Sequence, residues 1–453
     1  MPDTVSTDSA QTSYPDYSNS GTLSLPGTRY FNGLERFLYW LYVLSFSLDF
    51  RGPKGGSDSQ YFMLVVCFLS AFFLILFGPH KKGPKSLHAI TLMMLVFCGS
   101  TFIPLLAYGV PLERYVRVAG PFFLFATSLF MVYFLAGRKV KLSELLAPIL
   151  VGSLISWIWS IFYAITFKDV SINTMRYQLL SPAQPFLIAF AFASLISGRF
   201  NLLGIVCLIC SVLSTLISVT RQFIISYAFV LMVLLWVMSK SGLSAPEYRL
   251  RAKKGILSLF TFIIIGLILT ILLRPDTFNT WYLRLFVLHD ISNNTFLMRL
   301  AQSIGSWQEL FDHPVYLLTG KGMGSTFHFP SEYGYFLQME GIENLWEHAD
   351  VMWDGIFHTA GVVFGGLFTY LLILSLISGI KTAKAYIYKG TFYARIWAMT
   401  PLAFVIQIFA TSFFSNPWLN RFYAIIAGIL IGSIFWMNDY IIHDYSVSYI
   451  KQS

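Results

Sequence analysis

The sequence has 453 residues, of which 56% are hydrophobic and 12% charged, and its formal net charge is +9. Its mean hydropathy is +0.64. Together with repeated apolar runs of roughly 20 residues, this composition excludes an ordinary soluble domain and indicates a polytopic membrane protein, because each run can cross a bilayer core. The positive charge requires no nucleic acid as a partner, since it mostly reflects the orientation of the loops.

A polar segment precedes the first apolar run. Residues 1–30 are rich in Ser, Thr and Asp and lack an apolar core, so we expect a disordered cytoplasmic tail and not a cleaved signal peptide. Nine spans are predicted within 31–273 and three within 355–438. A large loop at 274–354 separates the two groups, and residues 439–453 form a second cytoplasmic tail.

The apolar runs predict an all-α polytopic membrane protein with about twelve transmembrane helices. They lie near 34–48, 60–78, 87–108, 118–137, 144–167, 179–198, 200–218, 222–239, 255–273, 355–380, 395–415 and 421–438. Only "GRF" separates the sixth span from the seventh, so these two could instead be one broken element.

Lys and Arg are concentrated in the short loops on the side of the N-terminal tail, as in "HKKGPK" (80–85) and "GRKVK" (137–141). By the positive-inside rule, both termini are predicted to be cytoplasmic. The loop at 274–354 then lies on the outer face, and it holds ten of the 22 acidic residues. Loops of this length are usually functional. The periodicity of "FLMRLAQSIGSWQELF" (296–311) predicts an amphipathic helix over that face.

The four cysteines, at positions 67, 98, 207 and 210, all fall inside predicted spans. This placement excludes an external disulfide framework. Cys207 and Cys210 form a C-x-x-C pair, for which plain packing in an apolar helix is favoured over redox or metal chemistry.

Three motifs could carry chemistry. Arg221 in "STLISVTRQFIISY" lies at the external end of an apolar run, where a guanidinium that lacks a counter-charge raises the free energy of the protein. Arg221 is therefore either part of a functional site or an anchor whose charged end reaches the membrane interface. "TGKGMGS" (319–325) lacks the spacing of a phosphate-binding loop, and a glycine-dictated turn is favoured. In "ENLWEHADVMWDGIF" (343–357), His348 is either a surface histidine or a metal ligand with Glu347 or Asp350, and metal is disfavoured because no compact His-rich pattern is present.

The order of these motifs resembles the O-antigen ligase and O-antigen polymerase superfamily. A span ends in "SVTRQ", the loop reads R-x(7)-W-x(5)-HP-x(5)-GKGMG from Arg299 onward, and a His precedes a span containing "TAGVVFGG". The resemblance covers roughly residues 200–370. Two positions depart from the family pattern: Ala349 stands where Asn is usual, and Gly361 lies two residues further from His348 than expected, so that counting back from it reaches Asp350.

The resemblance implies a C-type glycosyltransferase fold and a metal-independent enzyme without a cofactor, in the inner membrane of a bacterium, with a periplasmic active site. Its donor would be a glycan linked to undecaprenyl diphosphate. Arg221 and Arg299 would bind the diphosphate by bidentate contacts, and Arg176 is added as a third contact on topology alone. His348, or else Asp350, would take the proton of the acceptor hydroxyl, and Glu347 or Asp350 would orient the ring of His348.

Two acceptors are compatible with the same chemistry. A polymerase extends another lipid-diphosphate-linked repeat, whereas a ligase attaches the glycan to lipid A core; the missing Asn after His348 favours the polymerase. The bilayer and a chain-length regulator protein are further expected partners. A transporter is the alternative of a different class, but carriers place ionisable groups near the middle of the membrane. Here those groups gather at one face.

Overall fold

The computed structural model of the protein describes residues 22–48, 58–79, 81–166, 181–198, 201–218, 221–273, 295–328, 330, 345–346 and 349–450. Within these ranges the helices are α1 (Gly33–Leu44), α2 (Asp58–Leu76), α3 (Lys85–Ser100), α4 (Phe102–Tyr108), α5 (Leu112–Gly137), α6 (Leu142–Thr166), α7 (Gln184–Ile196), α8 (Leu202–Ser218), α9 (Arg221–Ser239), α10 (Ala245–Leu273), α11 (Thr295–Asp312), α12 (Pro314–Thr319), α13 (Met352–Lys389), α14 (Phe392–Ser412) and α15 (Arg421–Ile450). A short antiparallel pair, β1 (Phe327–His328) and β2 (Leu345–Trp346), and a 3-10 turn (Pro417–Leu419) complete the described elements.

Six of the described helices are long and apolar enough to cross a membrane. They are Lys85–Tyr108, Leu112–Gly137, Leu142–Tyr163, Met352–Lys389, Phe392–Ser412 and Arg421–His443. Four further apolar helices in these ranges are shorter. The chain is thus an all-α membrane protein, as its composition predicts, while the number of twelve spans stays a prediction.

The sixth and seventh predicted spans are two helices, α7 and α8, packed side by side. Gln184, at the start of α7, donates from Nε2 to Thr215 Oγ1 near the end of α8 at 2.8 Å. At the other end of the pair, a Cβ on Gly204 would lie 2.4 Å from the Cβ of Ser194. The antiparallel register of these contacts excludes one broken element.

One end of the bundle, here called the tail end, is closed by residues 22–30. Leu23 exchanges backbone hydrogen bonds with Lys389 and Thr391, at 2.9 and 3.1 Å, and Arg29 exchanges them with Lys139 and Lys141, at 2.9 and 2.7 Å. The disordered tail predicted over 1–30 is therefore wrong for its last nine residues, because their backbone groups are satisfied by two loops of the bundle. The last helix also exceeds its prediction: α15 runs past residue 438 to Ile450, through most of the predicted C-terminal tail.

The opposite end, here called the loop end, brings together residues 320–328, 349–361 and 416–421. A Cβ on Gly324 would lie 2.7 Å from the backbone of Arg114, near the start of α5, and one on Gly322 would lie 2.6 Å from Pro104. Because α5, α13 and α15 all start here, they run in the same direction toward the tail end. Gly428 of α15 allows a close approach to α5, since its Cβ would meet Ser128 at 2.5 Å.

The amphipathic helix predicted from residues 296–311 is confirmed as α11. Ala301, Gln302, Ser306 and Leu310 on one of its faces are all at most 1% exposed, whereas Phe311 is 65% exposed. This buried face packs on α13 and β1 at the loop end, and it therefore positions the polar residues described next.

Candidate functional site

The two glycine motifs of the sequence contact each other directly. The backbone of α13 leaves helical geometry at Gly361, with φ 65° and ψ −177°, a region that glycine alone adopts readily. At this break the amide of Lys321 donates to the carbonyl of His358 at 2.9 Å, and that of Gly322 donates to Thr359 at 3.1 Å. A Cβ at position 361 would lie 2.4 Å from both Leu318 O and Gly320 N. "TGKGMGS" thus serves as the predicted glycine turn, and it satisfies carbonyls that a continuous helix would pair with residues 362 and 363.

A partly buried ionic network fixes this junction. Glu309 of α11 accepts a hydrogen bond from His358 Nε2 at 3.0 Å and pairs with the Lys321 ammonium, which also donates to Thr326 O at 2.7 Å. The side chain of His358 is 3% exposed. Burial opposes ionisation of Glu309, but the hydrogen bonds from His358 and Lys321 and the charge of Lys321 outweigh burial, so the pKa of Glu309 lies below its ordinary value. Nε2 of His358 is committed to this network through its contact with Glu309.

Two of the carboxylates in the acidic stretch bind α11. Gln302, which is fully buried, accepts from the amide of Asp350 at 3.0 Å and donates to its Oδ2 at 3.3 Å. Asp354 accepts from Trp307 Nε1 at 2.8 Å and from the hydroxyl of Ser303. Asp354 is 8% exposed, whereas Asp350 is half-buried. Asp354 therefore has a structural role. Asp350 is also held in place, but its carboxylate remains accessible.

Arg299 lies one helical turn before Gln302 and Ser303, on the face of α11 that binds the two aspartates. It is half-buried, and its Nε is buried without a hydrogen-bond partner. No ion pair connects its guanidinium to any residue in the described ranges. A half-buried guanidinium without a counter-charge among the described residues is electrostatically costly, so Arg299 is a candidate for binding an anion.

The segment between α14 and α15 closes the site on a further side. Asn416 Nδ2 donates to the carbonyl of Ala349 at 3.3 Å, and the indole of Trp418 contacts Met352 Sδ at 3.0 Å. Trp418 is 1% exposed and its ring packs on those of Phe122 and Phe368. This aromatic support sets the position of Ala349, the residue before Asp350.

The structure brings only part of the predicted site together. Arg299 lies one helical turn from Gln302, which binds Asp350. Arg221 is the first residue of α9. His348, Glu347 and Arg176 lie outside the described residues. Their predicted roles therefore stay predictions.

The residues that sequence reasoning missed are Gln302, Trp307, Glu309 and Lys321. Gln302, Trp307 and Glu309 lie in the stretch 296–311, which predicts only an amphipathic helix, Trp307 is also the Trp of the R-x(7)-W pattern, and Lys321 belongs to the glycine turn. The available signal is their spacing: Arg299, Gln302 and Trp307 fall on one side of α11 together with Ser303, and form a polar stripe. In the described part of the chain, no three His, Cys, Asp or Glu side chains gather as possible metal ligands.

No protein-family model matches the chain, and a search of curated proteins finds no similar sequence. The family resemblance consequently rests on the motifs quoted above.

Proposed function

We propose that the protein is a glycosyltransferase that polymerises oligosaccharide repeats linked to undecaprenyl diphosphate at the outer face of a bacterial inner membrane. The observation that supports this best is Arg299, which has no ion-pair partner among the described residues and lies one helical turn from Gln302 and Ser303, the residues that bind Asp350 and Asp354. A cation and an accessible carboxylate at one end of a membrane-spanning bundle suit a reaction that releases an anionic leaving group and takes up a proton.

In the proposed reaction the acceptor hydroxyl oxygen attacks the anomeric carbon of the donor sugar. The bond from that carbon to the lipid diphosphate breaks, and the diphosphate leaves with the electron pair. Arg299, with Arg221 and Arg176 as the further predicted contacts, neutralises the charge that develops on it. His348 or Asp350 accepts the proton of the hydroxyl, and Glu347 orients the ring of His348 if the histidine is the base. No metal is assigned to any of these steps.

The glycan phenotype of a deletion strain tests the function. We expect lipid A core capped by a single repeat, because the first transfer by a separate ligase would continue while chain extension stops. Gel analysis of the lipopolysaccharide resolves the two forms. Restoration by the wild-type gene on a plasmid, but not by a gene encoding Arg299→Ala, would tie the phenotype to the site.

Two other outcomes would replace this proposal. Uncapped core together with long polymer on undecaprenyl diphosphate would establish the ligase alternative. Two results together would establish a transporter. Extracts of the deletion strain would transfer glycan normally, and the purified protein would move labelled lipid-linked glycan across the membrane of proteoliposomes.

A further inference from the structure

Arg421, the first residue of α15, is a second arginine at the loop end without a hydrogen-bond or ion-pair partner among the residues that the structure describes. It is 7% exposed, and its Nε is buried without a hydrogen-bond acceptor. Neither a hydrogen bond nor an ion pair links its guanidinium to any residue of the described ranges; its contact is with the ring of Phe46, at 5.9 Å from the ring centroid.

Two electrostatic features of this position favour an anion. The N-terminus of a helix carries a partial positive charge, so that a cation placed there is disfavoured unless a negative group is close. A guanidinium removed from water is also costly without a hydrogen-bonded counter-charge. Snorkelling alone does not account for Arg421, because a snorkelling side chain keeps its charged group well hydrated, whereas this residue is 7% exposed and its Nε is buried.

Arg138 shows how the same protein treats a structural arginine. It is 5% exposed, similar to Arg421, but it donates to the carbonyls of Pro79, Leu74 and Ile75 at 2.8–3.1 Å. Glu35 lies 3.6 Å from its guanidinium as well. Every arm of Arg138 is thus satisfied from within the chain, and Arg421 stands in contrast to it.

Arg421 adjoins the candidate site through a short connection. The preceding residues Asn416 and Trp418 contact Ala349 and Met352, which flank Asp350 along the chain. Because α15 is long and apolar enough to cross a membrane, its first residue lies where the headgroups of lipids meet the protein.

We propose that Arg421 and the N-terminus of α15 bind the phosphate of a lipid headgroup, as a second anion site apart from that of Arg299. A guanidinium suits this ligand, since its fork of N–H groups matches phosphate oxygens. The identification of this lipid as the lipid-diphosphate-linked acceptor rests on the proposed function. The binding of a lipid phosphate itself rests on the burial and isolation of Arg421.

Counting bound lipid by native mass spectrometry tests the site. The purified full-length protein in detergent is mixed with farnesyl diphosphate, a short prenyl diphosphate, at increasing concentration. We expect two bound molecules for the wild type and one for Arg421→Gln. Arg36→Gln is the matched control: Arg36 is exposed at the tail end, paired with Glu144 at 3.0 Å, and this variant should bind two.

The stability of the ligand-free protein separates binding from a structural role. Removing an unpaired buried charge should leave the thermal midpoint of Arg421→Gln equal to or above that of the wild type. A lowered midpoint with two farnesyl diphosphates still bound would overturn the proposal and make Arg421 a structural partner of Phe46.

Two comparisons separate the remaining possibilities. Inorganic diphosphate at the same concentrations should occupy the second site at least about tenfold more weakly than farnesyl diphosphate; equal affinity would overturn the assignment to a lipid. Arg299→Gln should also retain one farnesyl diphosphate. If it retained two while Arg421→Gln lost one, the proposed function would fail at Arg299 and the lipid-phosphate site at Arg421 would stand.

Discussion

At the scale of single residues, the loop end divides its charged groups into two kinds. Glu309, Lys321, Asp354 and His358 satisfy one another or nearby polar groups inside the protein. Arg299 has no such partner within the described ranges, and Asp350 is held by Gln302 while it stays half-buried. The paired groups position the site, whereas Arg299 and the accessible carboxylate of Asp350 are open to a substrate.

Replacing Arg299 tests the diphosphate contact. Arg299→Ala should abolish glycan polymerisation in complemented cells while membrane insertion continues, because the charge-assisted contact is lost. Arg299→Lys should also be poor, since a point charge cannot form two parallel hydrogen bonds. Polymer is measured by gel and protein by immunoblot, with Arg36→Ala and Arg36→Lys as controls that should behave as the wild type. Near-normal polymer from Arg299→Lys would eliminate the bidentate contact.

Substitutions at His348 and Asp350 identify the base. The residue that takes the acceptor proton should lose a factor of roughly 10² to 10⁴ in transfer rate when changed to Ala or Asn. The other should lose much less. Rates are measured with purified protein in vesicles, and Asp312→Asn, an exposed Asp at the end of α11, serves as the control. Small losses in both variants would show that neither is the base.

At the scale of elements, the site depends on the docking of α11 and the glycine turn against the broken start of α13. Helix α11 contributes Gln302, Trp307 and Glu309, and each bonds to the segment 350–358. The turn supplies backbone amides to the break. Disturbing the junction should therefore affect stability and activity together.

Gly361→Ala should destabilise this junction strongly. The residue would occupy backbone geometry that costs a side-chain-bearing residue about 1–3 kcal/mol, and its Cβ would clash with the backbone of Leu318 and Gly320. Gly366→Ala on the same helix is the matched control, since no atom lies within 4 Å of its added Cβ. Thermal unfolding in detergent should show a lower midpoint for Gly361→Ala alone. Equal midpoints for the two variants would contradict the docking.

The Glu309 network should make the junction sensitive to acid. The pKa of Glu309 is lower in the folded protein than the ordinary glutamate pKa of 4.5. The ionised carboxylate therefore stabilises the fold fully when the pH is above 4.5. This stabilisation is lost as the pH falls through the lowered pKa. Glu309→Gln should thus be less stable than the wild type at pH 7, and the difference should shrink below pH 4.5.

Thermal midpoints measured across pH 3–7 test this expectation. Glu113→Gln, which changes an exposed carboxylate in the first turn of α5, should follow the wild type at each pH. A deficit of Glu309→Gln that stayed constant over the range would assign the effect to packing and not to ionisation.

At the scale of the whole molecule, the two ends of the bundle have different tasks. The loop end holds Arg299 and Arg421, which have no ion-pair partner among the described residues, whereas the tail end is closed by backbone pairing and by ion pairs such as that of Arg29 with Glu35 at 2.7 Å. The ion pairs of the tail end therefore hold the fold together, and at the loop end only the arginines without such a pair are open to a ligand.

Truncation of the N-terminus tests the closure at the tail end. Deleting residues 1–30 should lower the thermal midpoint, because the hydrogen bonds of residues 22–30 to Lys139–Leu142 and Lys389–Thr391 are lost. Deleting residues 1–21 is the control and should leave the midpoint unchanged. Equal effects of the two deletions would remove the structural role of residues 22–30.

The sequence by itself determined the class of the protein and its helices. Apolar runs of membrane length and the polar stripe of residues 296–311 are local patterns, so α11 and the six membrane-length helices follow from them. The glycine-dictated turn at 320–324 was also predictable, since it depends on the residue type at each position: Gly320, Gly322 and Gly324 all have positive φ.

Only the tertiary structure decided which polar groups are paired. Glu309 and His358 are 49 residues apart in the chain, and Gln302 and Asp350 are 48 residues apart. No local sequence pattern encodes such contacts. The sequence likewise does not show that Arg421 lacks an ion-pair partner among the described residues. In the sequence it resembles any arginine at the end of a span. Its burial and its lack of an acceptor among the described residues follow from the packing of α15 against residues such as Phe46, and these two properties underlie the proposal of an anion site.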